Sequence, residues 1–280
     1  MYNDLFSIGP FTIHTYGLMI WLGIMAALYT GEIRAKKRQM NADVIFTMVF
    51  LCVAVGFICA KALYCIVEWK DFLENPMRVL SMDGFVVYGG IVGGVLTEYL
   101  YCRLRKFSFW DYFDLMLPSV ALAQGFGRIG CFFAGCCYGK ETDLFFGINF
   151  THTNYAPVGV KLIPTQLISS FGMFMIAGIL FYYAKKPRKQ GRVGALYLIL
   201  YSIGRFFIEF LRDDFRGMVG SLSTSQFISL FILALGILLF VSKRFPAGRR
   251  IIDEKAVNKT DAEDDNRKKE EKGNSEGENG

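Results

Sequence analysis

Histidine is nearly missing from this chain. His14 and His152 are the only two in 280 residues, and each is read as interfacial, which leaves little material for an imidazole metal centre or base. Between Met1 and His14 there is no basic n-region and no small-residue cleavage motif. A cleavable signal sequence is therefore not expected, and the first apolar run should stay as an anchor. Cysteine is present, but not as a framework. Of the seven, Cys52, Cys59, Cys65 and Cys102 sit inside apolar runs, where a free thiol behaves as a small hydrophobe, and an odd total argues against systematic pairing. Cys131, Cys136 and Cys137 are spaced C-x4-C-C, which matches no recognised zinc or cluster pattern and has no histidine beside it. They are expected to be small helix-packing residues, with no metal and no cofactor. The net charge is only +6 and comes from short basic clusters between apolar runs, an orientation signal rather than a nucleic-acid surface. No internal repeat of the inverted transporter kind is found.

What the chain has in excess is apolar length. It is 53% hydrophobic, with positive mean hydropathy, 27 phenylalanines and 14 tyrosines, too apolar for an ordinary soluble domain. Seven runs reach the ~20 residues that a membrane-spanning helix needs. They cover approximately 12–31, 44–67, 84–102, 110–136, 165–184, 192–211 and 222–242. The expectation is an all-α integral membrane protein of about seven transmembrane helices. Loop charge orients it. Arg34, Lys36, Lys37 and Arg38 follow the first run, Arg103, Arg105 and Lys106 the third, and Lys185, Lys186, Arg188, Lys189 and Arg192 separate the fifth from the sixth. Lys243, Arg244, Arg249 and Arg250 follow the seventh, while the intervening loops carry two basic residues each. The positive-inside rule then puts the N-terminus outside and the C-terminus in the cytoplasm. Residues 1–245 form the membrane domain. Residues 246–280 are expected to be a charged cytoplasmic tail, disordered because Lys, Glu, Asp, Asn and Gly leave almost nothing apolar to offset ordering entropy.

Against that topology the polar residues inside the runs acquire depth. The stretch Gly125 to Gly139 places Arg128 and five glycines where a lipid-facing helix would carry leucine. A guanidinium near bilayer depth costs roughly 2.5–3.5 kcal/mol on insertion scales, so it reads as a functional site by default. Tyr16, Lys61, Tyr88, Arg128, Arg205 and Glu209 come from five runs yet share the outer leaflet, and Glu209 follows Arg205 by one helical turn. Lys61, Arg128 and Arg205 against Glu209 leave a site of charge +2, suited to a phosphate diester, which the planar fork of arginine binds through two oxygens. The plainer alternative is that these are snorkelling residues at helix ends. Glu98 and Asp114 fall at cytoplasmic ends, and Asp114 is expected to cap or pair locally.

The matching pieces are then Tyr16-Gly17-Leu18, Lys61 through Tyr64, Tyr88-Gly89-Gly90, Asp114, and the signature Gly127-Arg128-Ile129-Gly130 to Gly139. Pro164-Thr165-Gln166-Leu167 and Tyr201 through Arg212 complete them. In their order and spacing the chain resembles the bacterial prolipoprotein diacylglyceryl transferase family. The resemblance implies transfer of the diacylglyceryl unit of phosphatidylglycerol to the lipobox cysteine thiol of a prolipoprotein signal peptide, with a thioether formed and glycerol phosphate released. It implies a multi-pass protein of the bacterial cytoplasmic (inner) membrane, with membrane lipid as a partner. It makes Arg128 and Arg205 catalytic, with Tyr88 at the base position. Tyr16, Lys61, Tyr201, Glu209, Gly127, Gly130 and Gly139 join the two arginines in binding phosphatidylglycerol.

The chain departs from the family at several polar positions. Cys131, Ala134 and Cys136 stand where the family commonly has Asn, Asn and Glu; Tyr88 stands for His; and Ile163, Ile168 and Ser169 replace the His, Tyr and Glu around the Pro164 motif. Two other readings stay open: a catalytically altered member that binds anionic lipid, and a membrane redox or transport protein using Cys131, Cys136 and Cys137.

Overall fold

A computed structural model describes residues 4–8, 11–81, 84–151, 153, 155–213 and 217–242. His152, the basic cluster after residue 242 and the expected tail 246–280 lie outside the described residues. Nine α-helices are present among them: α1 (Thr15–Lys37), α2 (Asp43–Val67), the short α3 (Trp69–Glu74) and α4 (Pro76–Ser81), α5 (Val87–Leu104), α6 (Phe109–Ala134), α7 (Thr165–Tyr183), α8 (Arg192–Ile208) and α9 (Thr224–Val241). Three two-stranded hairpins, β1–β2 (Asp4–Ile8, Phe11–His14), β3–β4 (Ile148–Asn149, Lys161–Leu162) and β5–β6 (Met218–Val219, Leu222–Ser223), lie in the connections.

All seven expected runs are helices, with shifted ends. The first begins at Thr15 because Phe11–His14 pairs as a strand, and the sixth turns into a 3-10 segment at Glu209–Leu211. Six helices are long and apolar enough to cross a membrane, all of the long ones except α5. In α5, four glycines, Glu98 and Arg103 dilute the apolar character. This is a multi-pass membrane protein. Its surface agrees: Phe50, Ile58, Val92, Phe171 and Leu238 are more than half exposed, as lipid-facing side chains are.

Helix α6 is the axis of the bundle. It packs along α1 on one side and α7 on the other, while α2 pairs with α5 and α8 with α9. Successive long helices run in opposite directions, so two ends are defined. At one end Ala35, Ile45, Met48, Cys102 and Leu115 are buried together, and Arg38 donates to the carbonyl of Ala184 at 2.8 Å. At that same end Asp114 of α6 is buried and accepts from the amide of Gly194 at 2.8 Å, satisfying a donor in the first turn of α8. That is the local capping expected of it. At the other end Phe132, Phe150, Ala156 and Leu162 close the loops over the C-terminus of α6.

Candidate active site

The second end of the bundle is where the polar residues gather, and short-range chain geometry explains how. Gly135 takes φ 74° and terminates α6, its amide returning to Phe132 at 3.2 Å and that of Cys136 to Cys131 at 3.2 Å. The chain then bends at Cys137, φ 62°, and reaches Gly139. Gly139 donates to Ile163 at 3.0 Å, Lys140 donates to Leu211 at 2.9 Å, and Gly139 bridges Arg212. A Cβ on Gly139 would stand 2.7 Å from the carbonyl oxygens of both Ile163 and Leu211, so only glycine fits. This crossing ties the end of α6 to the end of α8.

The tie brings Arg128 and Arg205 together. Both line one cavity of about 280 Å³, with Tyr201, Ser169, Gly204 and a wall of Met173, Ile176, Phe207, Ile208 and Leu211. The two guanidiniums lie within electrostatic reach of each other, and Arg205 also feels Arg212. Arg205 is held firmly: Nη2 donates to Ser225 Oγ at 2.7 Å and stands 2.9 Å from Oε2 of Glu209, an ion pair of two nearly buried side chains without full hydrogen-bond alignment. Arg128 makes no hydrogen bond or ion pair with another described residue. Arg128 and Arg205 thus put two guanidiniums, one of them paired with Glu209, on the wall of an apolar chamber. A phospholipid has the matching form, an anionic head joined to acyl chains.

Comparison with known proteins agrees with this geometry. The family profile described as prolipoprotein diacylglyceryl transferase matches residues 3–242. A Clostridium tetani protein named phosphatidylglycerol–prolipoprotein diacylglyceryl transferase is 48% identical over 242 residues, covering 86% of this chain and 97% of its own. A second transferase of that name from Clostridium perfringens is 47% identical over 230 residues (81% and 90%), and one from Bacillus cytotoxicus is 31% identical over 244 (85% and 90%). The chain belongs to the prolipoprotein diacylglyceryl transferase family.

Within this diacylglyceryl transferase scaffold the expected residues divide. Arg128, Arg205 and Tyr201 line the cavity, and Glu209 adjoins it through Arg205. The ring of Tyr201 stacks on Tyr197, whose hydroxyl donates to Gln124 at 2.9 Å. Tyr16 lies in the first turn of α1, its ring against Gly130 of α6, so those two residues form the α1–α6 seam and not the cavity wall. Gly127 faces a second, more apolar cavity of about 350 Å³ between α1, α2, α5 and α6. Buried Glu98, with Oε1 unpartnered, lines it too. Lys61 faces the α2–α5 connection, 3.4 Å from the carbonyl of Gly84 and over the rings of Tyr64 and Phe85 at 5.0 and 5.2 Å. Tyr88, in the first turn of α5, is 45% exposed and does not line the arginine cavity.

Two residues beside Arg205 were not assigned to the site from the sequence. Ser225 positions Arg205, and its signal was the capping box Ser223-x-x-Gln226 that opens α9. Arg212 is 6% exposed and takes the electrostatic place assigned to Lys61. In the sequence it stands only as the last residue of the piece Tyr201 through Arg212. The three thiols read as packing residues also meet. The Sγ atoms of Cys131, Cys136 and Cys137 all lie within 4.8 Å of one another.

Proposed function

We propose that this protein transfers the diacylglyceryl group of phosphatidylglycerol to the lipobox cysteine of a prolipoprotein signal peptide, forming a thioether and releasing glycerol phosphate. The observation that carries the reading is the guanidinium of Arg128, which pairs with no other described residue, facing the same cavity as the anchored guanidinium of Arg205. The names of the relatives from Clostridium tetani and Clostridium perfringens support it. The sulfur of the acceptor attacks the glycerol carbon esterified to phosphate; the S–C bond forms, the C–O bond breaks, and the electron pair leaves on the phosphate. Charge builds on the departing phosphate. Two oriented guanidiniums in a water-poor chamber stabilise it without reorganising. The acceptor brings its own nucleophile, so the protein needs none.

In this reading the arginine end faces outward from a bacterial cytoplasmic membrane, the chain crosses seven times with its N-terminus outside, and α5 spans despite its glycines because it pairs along α2. The segment 140–163, hydrogen-bonded over the end of α6, is the peptide-facing cover. Tyr201 borders the head group, and Tyr16 holds α1 against the helix that bears Arg128.

The test is direct. Purified protein is incubated with phosphatidylglycerol and a lipobox peptide, and the peptide mass is followed. The expected result is a diacylglyceryl adduct that falls at least about a hundredfold in Arg128→Ala and in Arg205→Ala, as the loss of a transition-state donor does. An adduct formed at the parental rate by Arg128→Ala removes that residue from the mechanism. Binding of lipid with no adduct in the parent chain indicates a lipid-binding protein instead.

A further inference from the structure

The cavity that holds the phosphate offers no carboxylate or imidazole among its described lining residues to take the proton of an incoming thiol. A thiol of pKa about 8.5 is mostly protonated at neutral pH, and only its thiolate attacks carbon well. One turn along α6 from Arg128, however, stands an arrangement of donors that the reaction as written does not use. The left-handed turn at Gly135 folds the chain back so that Cys136 and Cys137 rejoin Cys131. Cys137 itself takes φ 62°, a conformation costing a residue with a Cβ about 1–2 kcal/mol. The neighbouring helix holds this turn. Gln166 Nε2 donates to the carbonyl of Cys136 at 2.8 Å, and Thr165 Oγ1 donates to that of Cys137 at 2.7 Å. Thr153 Oγ1 donates to the carbonyl of Ala134 at 3.1 Å. The backbone under the thiols is thus fastened from two sides while the three side chains stay only partly buried.

Zinc–thiolate bonds of about 2.3 Å place sulfurs in a tetrahedral site about 3.8 Å apart. Here all three lie within 4.8 Å, so closure on one ion needs about an ångström of side-chain movement. Thiolates select soft or borderline cations over magnesium and calcium.

We propose that Cys131, Cys136 and Cys137 form a three-thiolate site for a zinc-class cation, whose open fourth position takes the acceptor thiol beside Arg128. The second half of this rests on the transferase reading; the metal site does not. Three protein ligands with one free position is the arrangement of catalytic zinc, and a thiol that coordinates such an ion is deprotonated outright. The proton passes to solvent, the coordinated sulfur attacks the glycerol carbon, and the ion is released from sulfur when the neutral thioether forms. Cys131 follows Arg128 by three residues on α6, a spacing that sets side chains about 5–6 Å apart, so an ion on Cys131 and a phosphate on Arg128 would be neighbours along one helix. Arg128 and Tyr16 lie within electrostatic reach of Cys131, and the guanidinium offsets the excess negative charge of a zinc ion on three thiolates.

The test uses the full chain, reduced, in detergent, first with cadmium and cobalt ions alone. The expected result is one ion per chain, with sulfur-to-metal charge-transfer absorption that is lost in each of Cys131→Ser, Cys136→Ser and Cys137→Ser and kept in Cys102→Ser. Retained phosphatidylglycerol binding checks that each variant is folded. No charge-transfer absorption at ion excess, absorption that survives the three variants, or a disulfide among these cysteines in protein isolated without reductant overturns the site. Lipobox peptide is then added to the cobalt form. A shift in its visible spectrum with the cysteine peptide and not with its serine analogue supports coordination of the acceptor. No shift overturns that role, as does adduct formation at the full rate in protein stripped by chelator. Failure of the parent chain to form any adduct, with the metal spectrum intact, counts against the transferase reading alone.

Discussion

Arg205 and Arg128 are the same side chain put to different uses. Arg205 is committed, with Ser225 and Glu209 fixing its fork, so the entropy of orienting it is already lost before substrate arrives. Arg128 has its hydrogen-bonding capacity left for a ligand. Ser225→Ala removes a hydrogen bond to a charged group, an interaction of about 1.5–3 kcal/mol. The expectation is that kcat/KM for adduct formation falls about tenfold, the change seen mainly in kcat, with Ser225→Thr restoring most of it. Unchanged kinetics in Ser225→Ala would show that Glu209 alone positions the guanidinium. Lys61 is the converse lesson at this scale. Its place late in an apolar run was legible, but its reach was not, because besides Tyr64 on its own helix it meets the Gly84 carbonyl and the Phe85 ring, which lie in the α2–α5 connection.

Among elements, α6 and α8 depend on ties at both of their ends. At one, buried Asp114 accepts from the amide of Gly194, with those of Gly191 and Val193 also directed at it. Asp114→Ala leaves the first turn of α8 without its acceptor, and a loss of about 1–2 kcal/mol is expected for a capping residue. A lower thermal midpoint in detergent, with adduct formation preserved at low temperature, checks it. At the other end Gly139 passes between Ile163 and Leu211 with no room for a Cβ. Gly139→Val is expected to destabilise by more than the Asp114 variant and to abolish transfer, because the two arginine-bearing ends separate; a parental melting curve refutes the tie. The periodicity and length of these helices were readable residue by residue. The crossing was not, since a short segment pairing with residues about 25 and 70 positions away carries no local signature.

The whole molecule is organised by which end each loop occupies. Basic residues from Arg34 to Arg38, Arg103 to Lys106 and Lys185 to Arg192 share the end opposite the arginine cavity. Exposed Lys140 lies at the cavity end and exposed Lys186 at the other. In intact cells Lys140→Cys is expected to react with a membrane-impermeant maleimide above the background of the parent chain, whereas Lys186→Cys reacts only after lysis. The reverse pattern would place the phosphate site in the cytoplasm, where no secreted peptide could meet it.

The amino-acid sequence by itself determined the membrane class, the seven helical runs, the end of the bundle at which each charge falls and the two arginines, because these depend on composition and short periodicity. Tertiary structure decided which of those charges face one another. It exchanged Lys61 for Arg212 beside the cavity, moved Tyr16 and Gly130 into a helix seam and turned Gly127 toward a different chamber. It also closed three spaced cysteines into a cluster. Each of these follows from the path of a loop, and a loop's path is set by partners far along the chain.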